Sequence, residues 1–400
     1  MPFYNDLRPQ SDFDDRDFAR VFPDMLPVEK LRTIDGLVQL QRALTGVNPR
    51  KTEENLLIAS WNIQGFGSGQ GRSGEALYYI AEIINAFDLI AVQELRTELT
   101  DLDKVMRILG PSWRYMLNDA TLGDGGNDER SAYIFNTKRV ELSGMSGEIS
   151  PWPEFLEGYD GAVKALKRPA YMTGFVTAWK QFSMVNLHLH PGKKSKRAAD
   201  GTKTYPDAEY RRGEIELMIE LFDEAKDSFW SPNLVLVGDM NFAKGQDQDT
   251  IDYLGSKEFV ECTALAGKPT NKTVSASSAE AFDRLFFSDE EYFRIATDDA
   301  GEQQGGVFDP FLTVFKEDDW RKYREEMRDY RLAGDASSRA AAPLMVEESP
   351  EGDKATHKYF RDTYRKRMLS DHLPIWVELD VNDAGAFLQG NADDIRAEVS

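Results

Sequence analysis

Residues 234–241 read LVLVGDMN: four apolar residues, a glycine, then Asp239 and Asn241 astride Met240. A strand exposed on one face alternates apolar and polar residues. A strand buried on both faces reads as an unbroken apolar run. The stretch is therefore expected to be a buried strand with its polar residues at the tip. Five further stretches have the same form: LLIASWN to Asn62, LIAVQE to Glu94, FSMVNLH to His188, FD before RLFF with Asp283, and LSDH before LPIWVEL with Asp371 and His372. Polar tips of neighbouring strands converge on one rim. A rim of carboxylates, an Asn and two His is what a divalent cation and a phosphate ester require. A metal-dependent phosphoesterase is the leading expectation.

Length and composition bound this reading. A chain of 400 residues holds one large α/β domain with extensions, or two smaller domains. The formal net charge of −21 argues against a protein that holds DNA stably, because such proteins show a basic face. It leaves room for an enzyme that touches DNA briefly through local positive patches and bound metal. The lone Cys262 rules out an internal disulfide framework and a multi-cysteine zinc site. No long apolar segment is present, and MPFYNDLRPQSDFDD has neither a basic start nor an apolar stretch. A cytoplasmic protein with no membrane span or signal peptide is expected.

Around the six runs, residues 1–50 form an N-terminal extension. It starts with an acidic surface segment and continues into an amphipathic helix with Leu31, Ile34, Leu37, Val38 and Leu44 on its docking stripe, stopped by Gly46. Residues 51–382 are the main domain, and 383–400 a helical tail. A charged insertion at about 301–369 interrupts the domain. Its parts are a helix over 317–334, an Ala/Ser/Glu/Pro-rich piece over 335–354 expected as a mobile surface loop, and a basic aromatic helix over 357–368.

Phosphodiester hydrolysis needs a cation to neutralise the phosphate, an activated water and a proton for the leaving oxygen. Glu94 suits a hard cation such as Mg²⁺, and Asn62 and Asp371 could complete its shell. Asp239 and Asn241, alternating about Met240, are expected to point the same way as acceptor and donor. His188 and His372 are two of only four histidines. Singly these are weak signals, since a strand-end Asp or Asn is usually a turn former. GFGSGQG (65–71) lacks the Lys-Ser/Thr of a P-loop and reads as a flexible turn; GDGGND (123–128) could ligate Ca²⁺ but lacks the EF-hand pattern. KKSKR (193–197) and the 357–368 helix flank the expected site and could supply its positive patches.

In order, WNIQGFG, AVQELR, NDER, KRPAY, NLHLHPG, LVGDMNF, FDRLFF and SDHLPIWVEL resemble the endonuclease/exonuclease/phosphatase superfamily, nearest its deoxyribonuclease I-like nucleases, over residues 55–290 and 368–380. The resemblance implies a four-layered α-β-β-α sandwich of the α+β type, with two mixed or antiparallel sheets flanked by helices. It implies Glu94 as principal metal ligand beside Asn62 and Asp371. His372 oriented by Asp283, and His188 oriented by Glu129, would be the acid–base pair, with the direction of proton transfer open. Asp239 and Asn241 would position water or a second metal and bind the scissile phosphate, and Arg96 and Arg168 would contact the substrate. The implied cofactor is Mg²⁺, with Mn²⁺ able to substitute and Ca²⁺ as a structural ion. The implied activity is metal-dependent endonuclease cleavage of DNA with little sequence preference, RNA not being excluded. The alternatives are a phosphatase or phosphodiesterase of the same fold acting on a lipid or small nucleotide, and a catalytically silent binding protein.

Overall fold

The computed structural model describes all residues except 13–19, 48–50, 68–70, 121–127, 198–202, 226–231, 289–292 and 400. In chain order its strands are β1 (Asn55–Phe66), β2 (Leu89–Leu95), β3 (Trp113–Leu117), β4 (Arg130–Asn136), β5 (Glu141–Ile149), β6 (Ala170–Thr177), β7 (Lys180–His188), β8 (Lys196–Arg197), β9 (Lys203–Thr204), β10 (Leu234–Asp239), β11 (Phe259–Glu261), β12 (Asp283–Ser288), β13 (Gly305–Val307) and β14 (Ile375–Asp380). Among the described residues they build two six-stranded sheets, β13-β14-β1-β2-β4-β3 and β11-β12-β10-β7-β6-β5, and a separate β8–β9 ribbon. Both sheets are mixed, with β1–β2 and β7–β10 parallel and the other pairs antiparallel.

Side-chain parity explains the continuous apolar runs. In β1, Leu56 and Ile58 enter the core between the sheets, while Leu57, Ala59, Trp61 and Ile63 face the outer helices. In β10, Val235 and Val237 face inward, and Leu234 and Leu236 meet the helices of the opposite side. Both faces of these two strands are buried, so no polar face interrupts their sequence. The outer layer on the first sheet includes α1 (Pro27–Ala43), α2 (Gly74–Asn85) and α3 (Thr100–Leu109). The opposite side carries α4 (Pro153–Gly158), α5 (Pro206–Ala225) and α6 (Gln248–Ser256). The four-layered sandwich expected from the sequence is the observed fold. No described helix is long and apolar enough to cross a membrane.

The extension and the insertion lie together over the first sheet and depart from two expectations. α1 buries Lys30, Thr33, Gly36, Leu37 and Leu40, whereas Leu31 and Val38 are exposed. The reason is Gly36, whose missing side chain admits the Tyr79 ring of α2 and rotates the docking stripe. The 335–354 piece is helical rather than a loop. Asp335 caps α8 (Ala336–Ala341), Ser349 caps α9 (Pro350–Tyr359), and Met345 between them enters the core. The remaining helices are α7 (Arg324–Leu332) before this piece, α10 (Arg365–Met368) after it, and α11 (Ala384–Glu398) in the tail. Extension and insertion meet at Glu75, a buried carboxylate that accepts from Arg32 at 2.7 Å, Tyr79 at 2.8 Å and Tyr323 at 2.9 Å.

Candidate active site

Strand register assembles the site. Asp239 ends β10 opposite His188 of parallel β7 and opposite Asp283, which starts antiparallel β12. The three therefore form one lateral row across the second sheet. By parity they continue the inward-facing set Val235/Val237, Phe182/Met184 and Leu285/Phe287. Asn62 occupies the same inner parity on β1. Gly238 (φ +136°) permits the row, because a Cβ there would lie 2.1 Å from the Leu187 carbonyl oxygen.

Glu94 reaches the site against its parity. Ile90 and Val92 of β2 face the outer helices, and Glu94 would follow them in a regular strand. Its left-handed backbone (φ +61°) lies where the β1–β2 and β2–β4 registers both shift, a bulge that redirects the carboxylate. There Oε1 accepts from Asn62 Nδ2 at 3.0 Å and Oε2 from the Gly65 N–H at 3.1 Å. Asn241 is likewise left-handed (φ +55°). It lies beyond the end of β10, so the strand alternation with Asp239 expected from the sequence does not operate. Its N–H caps Asp239 Oδ1 at 3.0 Å and its amide donates to the Leu189 carbonyl at 3.1 Å. Two left-handed non-glycine residues in one site are a form of stored backbone strain.

Asp239 Oδ2 is the focus. It accepts from Asn62 Nδ2 at 3.0 Å and lies 3.6 Å from His188 Nε2 and 3.8 Å from His372 Nε2. Each imidazole is held from behind through Nδ1: His372 by Asp283 at 2.8 Å, His188 by Glu129 at 3.3 Å. Glu129 also binds Arg168 Nε at 2.8 Å and lies 3.6 Å from Arg96 Nη1. Both arginines are thus engaged by the carboxylate that orients His188, while Nη1 of Arg168 is buried without a hydrogen-bond partner.

Burial alone would raise the Glu129 carboxyl, but the His188 hydrogen bond and charge, with Arg168 and Arg96, hold it down at about 2. Burial likewise works against the Asp239 carboxylate and is outweighed by His372, His188, the Asn62 amide and the Asn241 N–H, leaving it below the usual range. His372 is pushed down by burial and up, further, by Asp283 and Asp239; the net is a rise well above the ordinary imidazole value.

The donor set suits a hard divalent cation. Asp239, Asp283 and His372 form a buried group that could hold one, their ligand atoms lying within 4.8 Å of one another. The expected set of Glu94, Asn62 and Asp371 adjoins this group, since Asn62 Nδ2 donates to both Glu94 Oε1 and Asp239 Oδ2 at 3.0 Å. Two buried oxygens, Asn62 Oδ1 and Asp283 Oδ1, have no hydrogen-bond partner. Asn62 cannot turn its oxygen away from this role, since its nitrogen is committed to two carboxylates. The half-buried Asp371 side chain makes no hydrogen bond among the described residues, though its charge acts on His372. The GDGGND loop considered for Ca²⁺ lies, apart from Asp128, outside the described residues.

Several supporting residues carry no sequence signature. Thr270 donates to Asp283 at 2.6 Å. Ser370 donates to the Asn62 carbonyl at 2.6 Å and accepts from the Gln64 and His372 N–H groups at 3.1 Å. Arg72 is buried among the carbonyls of Gln64, Gly65 and Leu369. Gln93 and Asn186 join the two sheets at 2.6 Å. A lone amide inside an apolar run, as in LIAVQE and FSMVNLH, is the one signal that could have marked the last pair.

The chain matches no protein-family profile. It is 22% identical over 249 residues to human deoxyribonuclease gamma, covering 58% of this chain and 72% of that protein. It is 23% identical over 200 residues to human deoxyribonuclease-1, covering 47% of this chain and 61% of that one. The match thus spans about three fifths of deoxyribonuclease-1. Among solved structures, an endonuclease/exonuclease/phosphatase family protein from Bacteroides thetaiotaomicron aligns at a TM-score of 0.46 and 19% identity, covering 82% of this chain and 98% of that one. A mannosyl-6-phosphatase from the same organism aligns at 0.46 and 19%, covering 81% and 99%. The chain has the fold of the endonuclease/exonuclease/phosphatase superfamily, and deoxyribonucleases gamma and I are its distant homologues. Its Asp239, Asp283 and His372 form a group able to bind a divalent metal.

Proposed function

We propose that the protein is a divalent-metal-dependent endonuclease that hydrolyses phosphodiester bonds of DNA. The observation that carries this reading is the convergence of both imidazole Nε2 atoms and the Asn62 amide on Asp239 Oδ2, each imidazole being backed by its own carboxylate. Tautomers fixed at Nδ1 leave Nε2 of each ring free to exchange a proton on the substrate side. One histidine would take a proton from the attacking water and the other would supply one to the leaving oxygen. Asp239 would orient the water, and Asn241 would stand beside the scissile phosphate. Glu94, the partnerless Asn62 Oδ1 and Asp371 would hold Mg²⁺ or Mn²⁺, which when bound neutralises charge on the phosphate. Arg168, with a free Nη1, and Arg96 would meet substrate phosphates.

The net charge of −21 favours a second reading, a phosphatase for a small phosphoester. Supercoiled plasmid incubated with protein and Mg²⁺, with and without EDTA, and beside Asp239→Ala, separates the two. Nicking that needs the metal and disappears in the variant supports the endonuclease. Turnover of a small phosphoester with intact plasmid sinks it.

A further inference from the structure

The β8–β9 ribbon stands out from this acidic chain. Residues 191–197 and Lys203 are exposed, and they include Lys193, Lys194, Lys196, Arg197 and Lys203. Arg197 pairs in register with Lys203, so two cations face each other across the ribbon. Like charges directly opposite destabilise a strand pair. No ion pair among the described residues engages Lys194, Lys196, Arg197 or Lys203 with a carboxylate. A charge arrangement that costs stability, with no ion-paired carboxylate on Lys196, Arg197 or Lys203 among the described residues, suits an external polyanion.

The ribbon's root is rigid and belongs to the site. Arg211 of α5, fully buried, donates to the carbonyls of His190 at 3.2 Å and Gly192 at 2.8 Å. Asp207 accepts the Lys194 N–H at 2.7 Å and lies 3.3 Å from His190 Nε2. Glu214 accepts the His190 N–H at 2.8 Å. Lys193 is tied to Glu280 at 2.6 Å and lies over the Phe282 ring at 4.8 Å, and that ring is 6.0 Å from His372. The first lysine is thus an anchor beside a candidate catalytic imidazole; beyond it Lys203 lies over the Tyr205 ring at 4.9 Å, and Lys196 and Arg197 have no ion-pair partner among the described residues. Three residues span at most about 10 Å, so Lys196 lies within roughly three base-pair rises of Lys193.

We propose that this ribbon is an arm that grips backbone phosphates of a polynucleotide beyond the scissile one. The inference rests on the endonuclease reading and deepens it: the arm selects polymer over mononucleotide, because a small ester held at His372 ends short of Lys196, Arg197 and Lys203.

The test compares wild type with Lys196→Ser/Arg197→Ser/Lys203→Ser, and with Lys196→Arg/Lys203→Arg. Two substrates are used, plasmid DNA over a salt series and thymidine 5′-(p-nitrophenyl) phosphate. The triple variant should raise KM on DNA with kcat retained, and flatten the plot of log kcat/KM against log salt by about 2 to 3 in slope. The arginine variant should keep the wild-type slope, and all three proteins should hydrolyse the small ester equally. A triple variant with the wild-type slope and KM on DNA overturns the arm alone. Equal losses on both substrates also count against it, since an arm acts only on polymer. A wild type that turns over the small ester and leaves DNA intact overturns the endonuclease reading itself.

Discussion

Arg211→Met should cost the protein about 3–5 kcal/mol of folding stability, and the structure says where that loss arises. The guanidinium is fully buried and bidentate on Asp247, with Nε at 2.8 Å and Nη2 at 2.7 Å, while Nη1 serves the carbonyls of His190 and Gly192. Asp247 in turn accepts the Ala243 N–H at 2.7 Å. One side chain therefore ties α5 to the segment leaving β7 after His188 and to the segment leaving β10 after Asp239. Methionine fills much of the volume but leaves Asp247 as a buried charge with one N–H partner, the situation that accounts for the 3–5 kcal/mol. Typical domains are stable by about 5–15 kcal/mol, so the variant should still fold. Adding Asp247→Leu removes the stranded charge and should restore most of the loss, leaving roughly 1–2 kcal/mol for two carbonyls and one N–H. Urea unfolding followed by circular dichroism and tryptophan fluorescence gives both numbers. A single-variant loss under about 1 kcal/mol, or a double variant as weak as the single, refutes the clamp. If the clamp positions the site, Arg211→Met also lowers kcat more than it raises KM.

Gly238→Ala should destabilise by several kcal/mol, because the new Cβ would sit 2.1 Å from the Leu187 carbonyl at a left-handed φ; a thermal midpoint within about 1 °C of wild type rejects this. Glu129 titrates at about 2, so its native partners stabilise the fold above the unfolded carboxyl value of about 4.3 and lose that effect as pH falls through 2. After discounting for screening, wild type should exceed Glu129→Gln by about 1–2 kcal/mol at pH 7 and by progressively less at pH 4 and 3; a pH-independent gap contradicts the pairing. Cys262 is buried in the core between the sheets and its thiol is pushed up to about 11 by desolvation. It should resist thiol reagents at pH 8 until urea unfolds the protein, and rapid labelling of the native chain would contradict its placement.

How much of this was legible before the structure depends on which physical rule positions each residue. Where regular strand parity governs, the sequence is sufficient. Asn62, His188, Asp239 and Asp283 extend the inward alternation of apolar runs, and the fold that buries both strand faces explains why those runs have no polar face. Parity fails at Glu94 and Asn241, which adopt left-handed backbones at a bulge and beyond a strand end. Motif order placed both near the rim, yet neither local geometry follows from alternation. Composition misjudged 335–354 because Ala and Glu suit helices as well as loops, and the apolar residues that dock the segment are few: buried Ala342 and Met345, with Leu344 packed beside them. α1 was displaced by Gly36, a residue whose effect lies in what its neighbour Tyr79 does with the space. Least legible were Thr270, Ser370 and Arg72, whose partners only folding brings near: the Asp283 carboxylate for Thr270, the distant Asn62 carbonyl for Ser370 and the distant Leu369 carbonyl for Arg72. These residues bind carbonyls, N–H groups and two carboxylates that any sequence could supply, so only the folded geometry selects them. The same reasoning marks the ribbon: its charges were plain in KKSKR, while its value as an arm depends on a root that Arg211, Asp207 and Glu280 hold beside His372.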